Sequence, residues 1–246
     1  MESNENAMEV RHLQKAFGVL KAVDGIDFEL KRGEFLTVFG PNGAGKTTLI
    51  KILSGLTKPT SGAAKVAGFN VIEGSPEMRK EIGVISHATA LYADLTPLEN
   101  LIFFARMHGL NKPKEQSLKV IDEVGLGERR NDRVRTFSRG MLQRLSIARA
   151  ILHDPAILFL DEPFTGLDLH ASNILKKHLQ RLHDRRRTIL MITHDIACGL
   201  EMCDKVALQV RGKFVYFENI TNVNRDQFES MYFDAVRDNQ LVMNQS

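Results

Sequence analysis

The chain has 246 residues, 43% apolar and 26% charged, which suffices for one large core or a core with a satellite lobe. No apolar run approaches the roughly 20 residues a membrane span needs, and the polar, acidic amino terminus is unlike a targeting peptide, so work at a membrane would need another anchor. A net charge of +3 neither demands nor excludes an anionic partner, while Cys198 and Cys203 are too few for a disulfide framework and lack zinc-site spacing, which leaves buried free thiols in a reducing cytosol.

Strand-like runs open the chain at residues 9–12, 26–30 and 35–39, and recur at 64–66 and 82–85. The early ones are separated by short turns such as Lys31-Arg32-Gly33, as in antiparallel pairing, and with the stretch near 62–72 they predict a small β lobe. From Thr96 to His153 helical signals take over. Thr96-Pro97-Leu98-Glu99 is a capping box with proline at the first helical position, and its helix runs to about His108, before Gly109. A second helix is expected over 113–124, and a third begins near Ser138, with its regular part over 143–152. Strands return at 157–160, 188–192, 206–210 and 213–217. Short, wholly apolar runs followed by helices are the pattern of parallel strands covered on both faces, so the expected class is α/β. The expectation is a single domain, with a mainly parallel core (1–86 and 154–217), a helical insert (87–153) and a polar tail (218–246) forming a short, frayed helix.

The run Gly40-Pro41-Asn42-Gly43-Ala44-Gly45-Lys46-Thr47 matches Gly-x-x-x-x-Gly-Lys-Thr and has the context that the pattern requires, a strand before it and a helix over 46–53 after it. Glycines let successive backbone N–H groups converge on phosphate oxygens, and the helix amino terminus adds partial positive charge. Lys46 is expected to reach the β and γ phosphates and the Thr47 hydroxyl to ligate Mg²⁺. Kinases, GTPases, helicases and transport ATPases share such a loop, so it does not by itself say what the energy is used for.

The strand at 157–160 delivers Asp161 and Glu162 at its carboxyl end, where open α/β sheets bind ligands. Adjacent residues leaving a strand point to different sides, which assigns Asp161 to the magnesium shell and Glu162 to the attacking water as general base. The strand at 188–192 leads to Thr193-His194-Asp195. His194 there can bond the γ-phosphate or the water, or serve structure alone, with Asp195 capping the next helix.

Read in order, Gly40 to Thr48, Phe137-Ser138-Arg139-Gly140-Met141, the strand ending at Asp161-Glu162, Thr165-Gly166-Leu167-Asp168 and His194 resemble the ATP-binding-cassette ATPases over nearly the whole chain. The resemblance implies ATP as the nucleotide, Mg²⁺ as the metal, and catalysis by Glu162, His194 and Lys46. The family's signature, usually Leu-Ser-Gly-Gly-Gln, keeps only Ser138 and Gly140 here. It meets the ATP of a second copy, which implies a head-to-tail dimer whose interface Asp168 crosses. Phe17 falls where the family stacks an aromatic on adenine, worth about 1–3 kcal/mol in comparable contacts, although an edge-strand core aromatic is equally compatible. His87 replaces the usual glutamine, and neutral imidazole is a poorer magnesium ligand than an amide oxygen. A histidine in that place, followed by Leu95-Thr96-Pro97-Leu98-Glu99-Asn100-Leu101, resembles the ATPases of haem export for cytochrome c maturation.

The family reading implies the motor of a membrane transporter, an exporter in the haem-export variant, peripheral on the cytoplasmic face of the membrane and working through separate integral subunits. A cassette ATPase acting on ribosomes or DNA is the alternative, but such proteins generally carry two cassettes or a long coiled-coil insertion. The helix from Pro97 carries Leu98, Leu101, Ile102, Phe103, Phe104 and Met107, wider than one core-facing stripe, and with the loop from His87 to Asp94 it is expected to receive a short helix of a membrane subunit. Arginines at 129, 130, 133, 135 and 185–187 fit a solvated face or anionic lipid. Without interleaved aromatics they do not predict nucleic acid.

Overall fold

The computed structural model describes residues 6–86, 89–183 and 187–243, so His87, Arg185 and Arg186 lie outside the described residues. The chain opens with β1 (Asn6–Phe17), β2 (Leu20–Lys31), β3 (Phe35–Phe39), α1 (Lys46–Leu53), β4 (Ser61–Val66) and β5 (Phe69–Asn70). It continues through α2 (Pro76–Glu81), β6 (Ile82–Ile85), α3 (Pro97–Met107), α4 (Pro113–Glu123), α5 (Arg139–Ile151) and β7 (Ile157–Asp161). The last elements are α6 (Leu169–His183), β8 (Thr188–Ile192), α7 (Ile196–Met202), β9 (Lys205–Val210), β10 (Lys213–Asn219) and α8 (Arg225–Met243).

Burial on both faces explains why the later strands are apolar at every position. The larger sheet has the order β10-β9-β3-β8-β7-β6, parallel throughout except for the β10–β9 pair. Alternate residues enter two cores: Phe35, Phe39, Leu158, Leu160, Ile189 and Met191 face the helical side, while Leu36, Val38, Ile157, Phe159, Leu190 and Ile192 face the β lobe and α1. Because the strands run parallel, the residues after β3, β7 and β8 emerge at one edge.

The β lobe is an antiparallel sheet of order β2-β1-β4-β5. Lys31-Arg32-Gly33 does not close a hairpin, contrary to the sequence expectation. It passes the chain from β2 in the lobe to β3 in the larger sheet. The hairpin turn is Gly18-Val19, with Phe17 paired to Leu20 and Gly18 at φ 59°.

α3 starts on the expected capping box: Thr96 Oγ1 accepts from the Glu99 N–H at 3.2 Å, and Glu99 Oε2 accepts from the Thr96 N–H at 2.8 Å. α5 begins at Arg139, in keeping with the helix start expected near Ser138, because Ser138 caps it by accepting from the Met141 N–H at 3.3 Å. α2 was not anticipated, although Ser75-Pro76 is a cap followed by proline at the first helical position. The tail also differs from expectation: α8 is a 19-residue helix whose Phe228 and Tyr232 are buried, with Phe228 edge-on to Phe39 at 5.3 Å between centroids. Cys198 and Cys203 are free, and burial pushes both thiols up to about 11, so they remain protonated near neutrality.

Candidate active site

The phosphate loop is a backbone structure pressed between two neighbours. A Cβ on Gly40 would lie 2.1 Å from the Gln209 carbonyl oxygen, and one on Gly45 would lie 1.7 Å from that of Ala22, with φ at 151° and 97°. Only glycine fits at either place. The loop is then pinned through the Ala44 carbonyl, which accepts from Gln209 Nε2 and from the Gly212 N–H, each at 3.0 Å. Gln209 and Ala22 are parts of the cradle that the linear motif does not announce, since they come from β9 and β2.

Lys46 and Thr47 open α1. The Lys46 ammonium is buried and donates to the carbonyls of Gly40 at 2.7 Å and Pro41 at 2.9 Å. Desolvation lowers its pKa, partly offset by the nearby carboxylates of Glu162 and Asp161. Thr47 Oγ1 donates to Asp161 Oδ1 at 3.2 Å, so a hydroxyl and a carboxylate oxygen stand side by side. Two hard oxygen donors this close suit Mg²⁺, which takes one or two protein oxygens and completes its shell with phosphate and water.

Asp161 ends β7 and is buried, whereas Glu162 sits at φ 53° with its N–H donating to the Ile192 carbonyl at 2.9 Å. A left-handed turn at a non-glycine residue costs of order 1–3 kcal/mol and is tolerated where the surroundings hold it. Here it separates the directions of the two carboxylates. Glu162 Oε2 lies 2.7 Å from His194 Nδ1 and accepts a longer bond from Thr165 Oγ1 at 3.3 Å. The histidine that follows β8 and the carboxylate that follows β7 therefore meet across the sheet edge, as parallel β7–β8 pairing permits.

A cavity of about 340 Å³ is lined by Asn42 to Thr48, Asp161, Glu162, Ala22 and Ile192, with Phe17 and Leu20 bordering it from the hairpin, and His194 is joined to it through Glu162. Phe17 is 53% exposed, so it is not a core aromatic. Ser138, Gly140 and Asp168 do not line this cavity. They lie together elsewhere on the chain: the Arg139 guanidinium abuts Gly166, Gly140 faces Ala171, and Asp168 caps α6 by accepting from the Ala171 N–H at 2.7 Å. His87, expected at the site, falls outside the described residues.

A glycine-rich strand-to-helix loop at the edge of a parallel sheet, with a carboxylate pair at the end of a neighbouring strand, defines a phosphate-loop nucleoside triphosphatase. The sequence profile of the ABC transporter family matches residues 23–165, and the chain belongs to that family. It is 36% identical over 226 residues to the ABC transporter ATP-binding protein NatA of Bacillus subtilis, covering 90% of this chain and 88% of NatA. The bacitracin transport ATP-binding protein BcrA of Bacillus licheniformis is 37% identical over 90% of this chain and 74% of its own length. The linearmycin resistance ATP-binding protein LnrL of Bacillus subtilis is 34% identical over 85% and 68%. Among solved structures, an ATP-binding subunit of an ABC transporter superposes with a TM-score of 0.80 at 29% identity over 91% of this chain and 93% of its own. The cassette MJ0796, solved as a dimer bound to ADP and Pi, shares the fold with a TM-score of 0.78 at 24% identity over 87% and 98%. The protein is thus an ATP-binding, ATP-hydrolysing subunit of an ABC transporter. None of the helices in the described residues is long and apolar enough to cross a membrane.

Proposed function

We propose that this chain binds Mg-ATP on the Gly40–Thr48 loop, pairs head to tail with a second copy or a homologous cassette, and drives export through separate membrane subunits from their cytoplasmic face. The observation that carries the reading is the convergence of Lys46, Thr47, Asp161 and Glu162 around one cavity bordered by an exposed aromatic, with His194 bonded to Glu162. Lys46, freed from its own loop's carbonyls, would neutralise the terminal phosphates, and the loop N–H groups would hold them. Thr47 and Asp161 would hold Mg²⁺, which when bound screens the charge on the phosphate oxygens. Glu162 would orient and deprotonate the attacking water, with His194 fixing the carboxylate's direction. Ser138, Gly140 and Asp168, on a surface away from this chain's cavity, would close on the nucleotide held by the partner.

Export is favoured because the relatives BcrA and LnrL are named for bacitracin transport and linearmycin resistance. Neither name concerns haem, and His87, on which the haem-export reading rested, is outside the described residues. The receiving surface for the membrane subunit is α3. Phe103 at 40% and Met107 at 68% exposure stand out from it beside Tyr92, whereas Leu101 and Ala105 are buried. Phe104 is half-buried under the Arg149 guanidinium at 5.3 Å, so its replacement would disturb the lobe itself. Phe103→Asp is the cleaner test. Co-purification with the membrane subunit should be lost while the isolated chain keeps its ATPase rate, and retention of the partner would remove α3 as the docking surface.

A further inference from the structure

Lys15 and Phe17 are two residues apart at the end of β1, where the pairing with β2 is irregular between Lys15 and Ala16. The Lys15 ammonium stands over the Phe17 ring, 5.0 Å from its centroid, and donates at 2.8 Å to the carbonyl of Lys58, in the loop that follows α1. The next residue is tied to the same loop, with the Ala16 N–H donating to Thr60 Oγ1 at 3.0 Å. The end of the β1–β2 hairpin is therefore fastened to the chain leaving the phosphate-loop helix. Phe17 borders the phosphate cavity, and Lys15 is not among the residues that line it.

An aromatic that stacks on a base works best when its ring is already fixed, because freezing a free rotamer on binding costs affinity. A cation held against one face supplies this, by occupying the space into which the ring would rotate and by drawing π-density away from the face offered to the base. The Lys58 carbonyl keeps that cation in place, which an exposed lysine alone would not achieve.

We propose that Lys15 is a positioning residue for the nucleobase: it backs Phe17 so that the ring presents a fixed stacking face beside the phosphate loop. The inference rests on the reading of Phe17 as the base platform. It adds a residue that touches neither base nor phosphate. Base stacking is tolerant of base identity, so Lys15 should strengthen the binding of nucleoside triphosphates generally and leave inorganic tripolyphosphate unaffected.

The test uses the full chain, with KM and kcat from phosphate release and with equilibrium binding of Mg-ATP and Mg-tripolyphosphate. Lys15→Met, which keeps length and removes charge, should raise KM and Kd for ATP about two- to fivefold, the range expected of one exposed cation–π contact, with kcat and tripolyphosphate affinity unchanged. Lys15→Arg should restore the parental KM. In a Phe17→Ala background, Lys15→Met should have no further effect. If Phe17→Ala raises KM but Lys15→Met does not, the Lys15 inference is overturned and the base platform stands. If Phe17→Ala leaves KM unchanged, the platform itself fails and Lys15 falls with it. Equal weakening of tripolyphosphate by Lys15→Met would place its effect on the phosphate loop and also overturn the inference.

Discussion

The sheet core and the helical lobe of α3, α4 and α5 are unequal in how far a single chain completes them. In the core, Lys46, Thr47, Asp161 and Glu162 already line one cavity, Thr47 bonds Asp161, and His194 bonds Glu162. The lobe carries Tyr92, Phe103 and Met107 on its surface, a helix amino terminus at Ser138 that does not line the cavity, and a groove of about 400 Å³ at its seam with the core. In that groove Arg149 Nε and His153 Nδ1 are buried without a partner among the described residues. Bond-making needs groups held to fractions of an ångström, which strand ends of a doubly covered sheet provide. In the proposed reading, transmission of motion needs surfaces finished by another chain, and those would be drawn from the less completed part.

The largest effect should come from the core. Glu162→Gln keeps the side chain's size and can still bond His194, but it cannot take a proton from water. Turnover should fall by about 10²–10⁴-fold in phosphate release while Mg-ATP affinity stays within a few-fold. A variant that hydrolyses at the parental rate would move the base elsewhere and leave the core without its central assignment.

A smaller effect is expected on the lobe at Ser138, where structure and function are separable. Ser138→Ala removes the cap of α5 and should cost about 1 kcal/mol of stability. Ser138→Asp keeps a capping oxygen and should leave the melting temperature nearly unchanged, yet it places a negative charge where the proposed second chain's phosphates would approach. At about 6 Å and an effective dielectric near 20, like charges repel by about 2.8 kcal/mol, enough to suppress turnover on the order of a hundredfold. Parental turnover in Ser138→Asp would mean that this surface never meets a nucleotide.

The same contrast governs what could be read from the chain. The phosphate loop, the bounds of β3, β6 and β8 and the capping box of α3 were legible because each is a local pattern with a local cause: convergent N–H groups, two-sided burial, reciprocal caps. The Glu162–His194 contact was not, since it depends on β7 and β8 being neighbours, and no spacing in the sequence states that. The role of Lys31-Arg32-Gly33 was misread because a turn between apolar runs looks alike whether it closes a hairpin or joins two sheets. The burial of α8 was missed since Phe228 and Tyr232 sit among polar residues, and what they cover, Phe39 and its neighbours, is nearly two hundred residues away. Gln209 carried no signal either: a glutamine in an apolar strand acquires meaning only when the Ala44 carbonyl is found opposite it.

The seam between the two regions gives the smallest effect, and a sign that can be worked out in advance. His153 bonds the Ile82 carbonyl at 3.0 Å through Nε2, tying the second residue after α5 to the start of β6, and its ring stacks on His108 at 4.0 Å. Burial first, then the neighbouring His108, push its pKa down to about 4 against an ordinary 6.5, with Arg149 adding to the depression and Asp154 and the Ile82 carbonyl opposing it. Between those values the unfolded chain binds a proton that the folded chain refuses, so the contribution is complete above about pH 6.5 and is lost as pH falls toward 4. One proton sets a ceiling of about 1.4 kcal/mol per pH unit, and partial exposure of the ring keeps the real slope below it. His153→Gln retains an N–H for the Ile82 carbonyl and cannot titrate. Melting temperatures at pH 7.5, 6 and 5 should therefore fall less steeply in the variant than in the parent, but not become flat, because the pKa of His108 is depressed in the same direction by its own burial. Parallel slopes would show that acid loosens the molecule elsewhere and that this stacked pair is not where the lobe's hold on the core depends on pH.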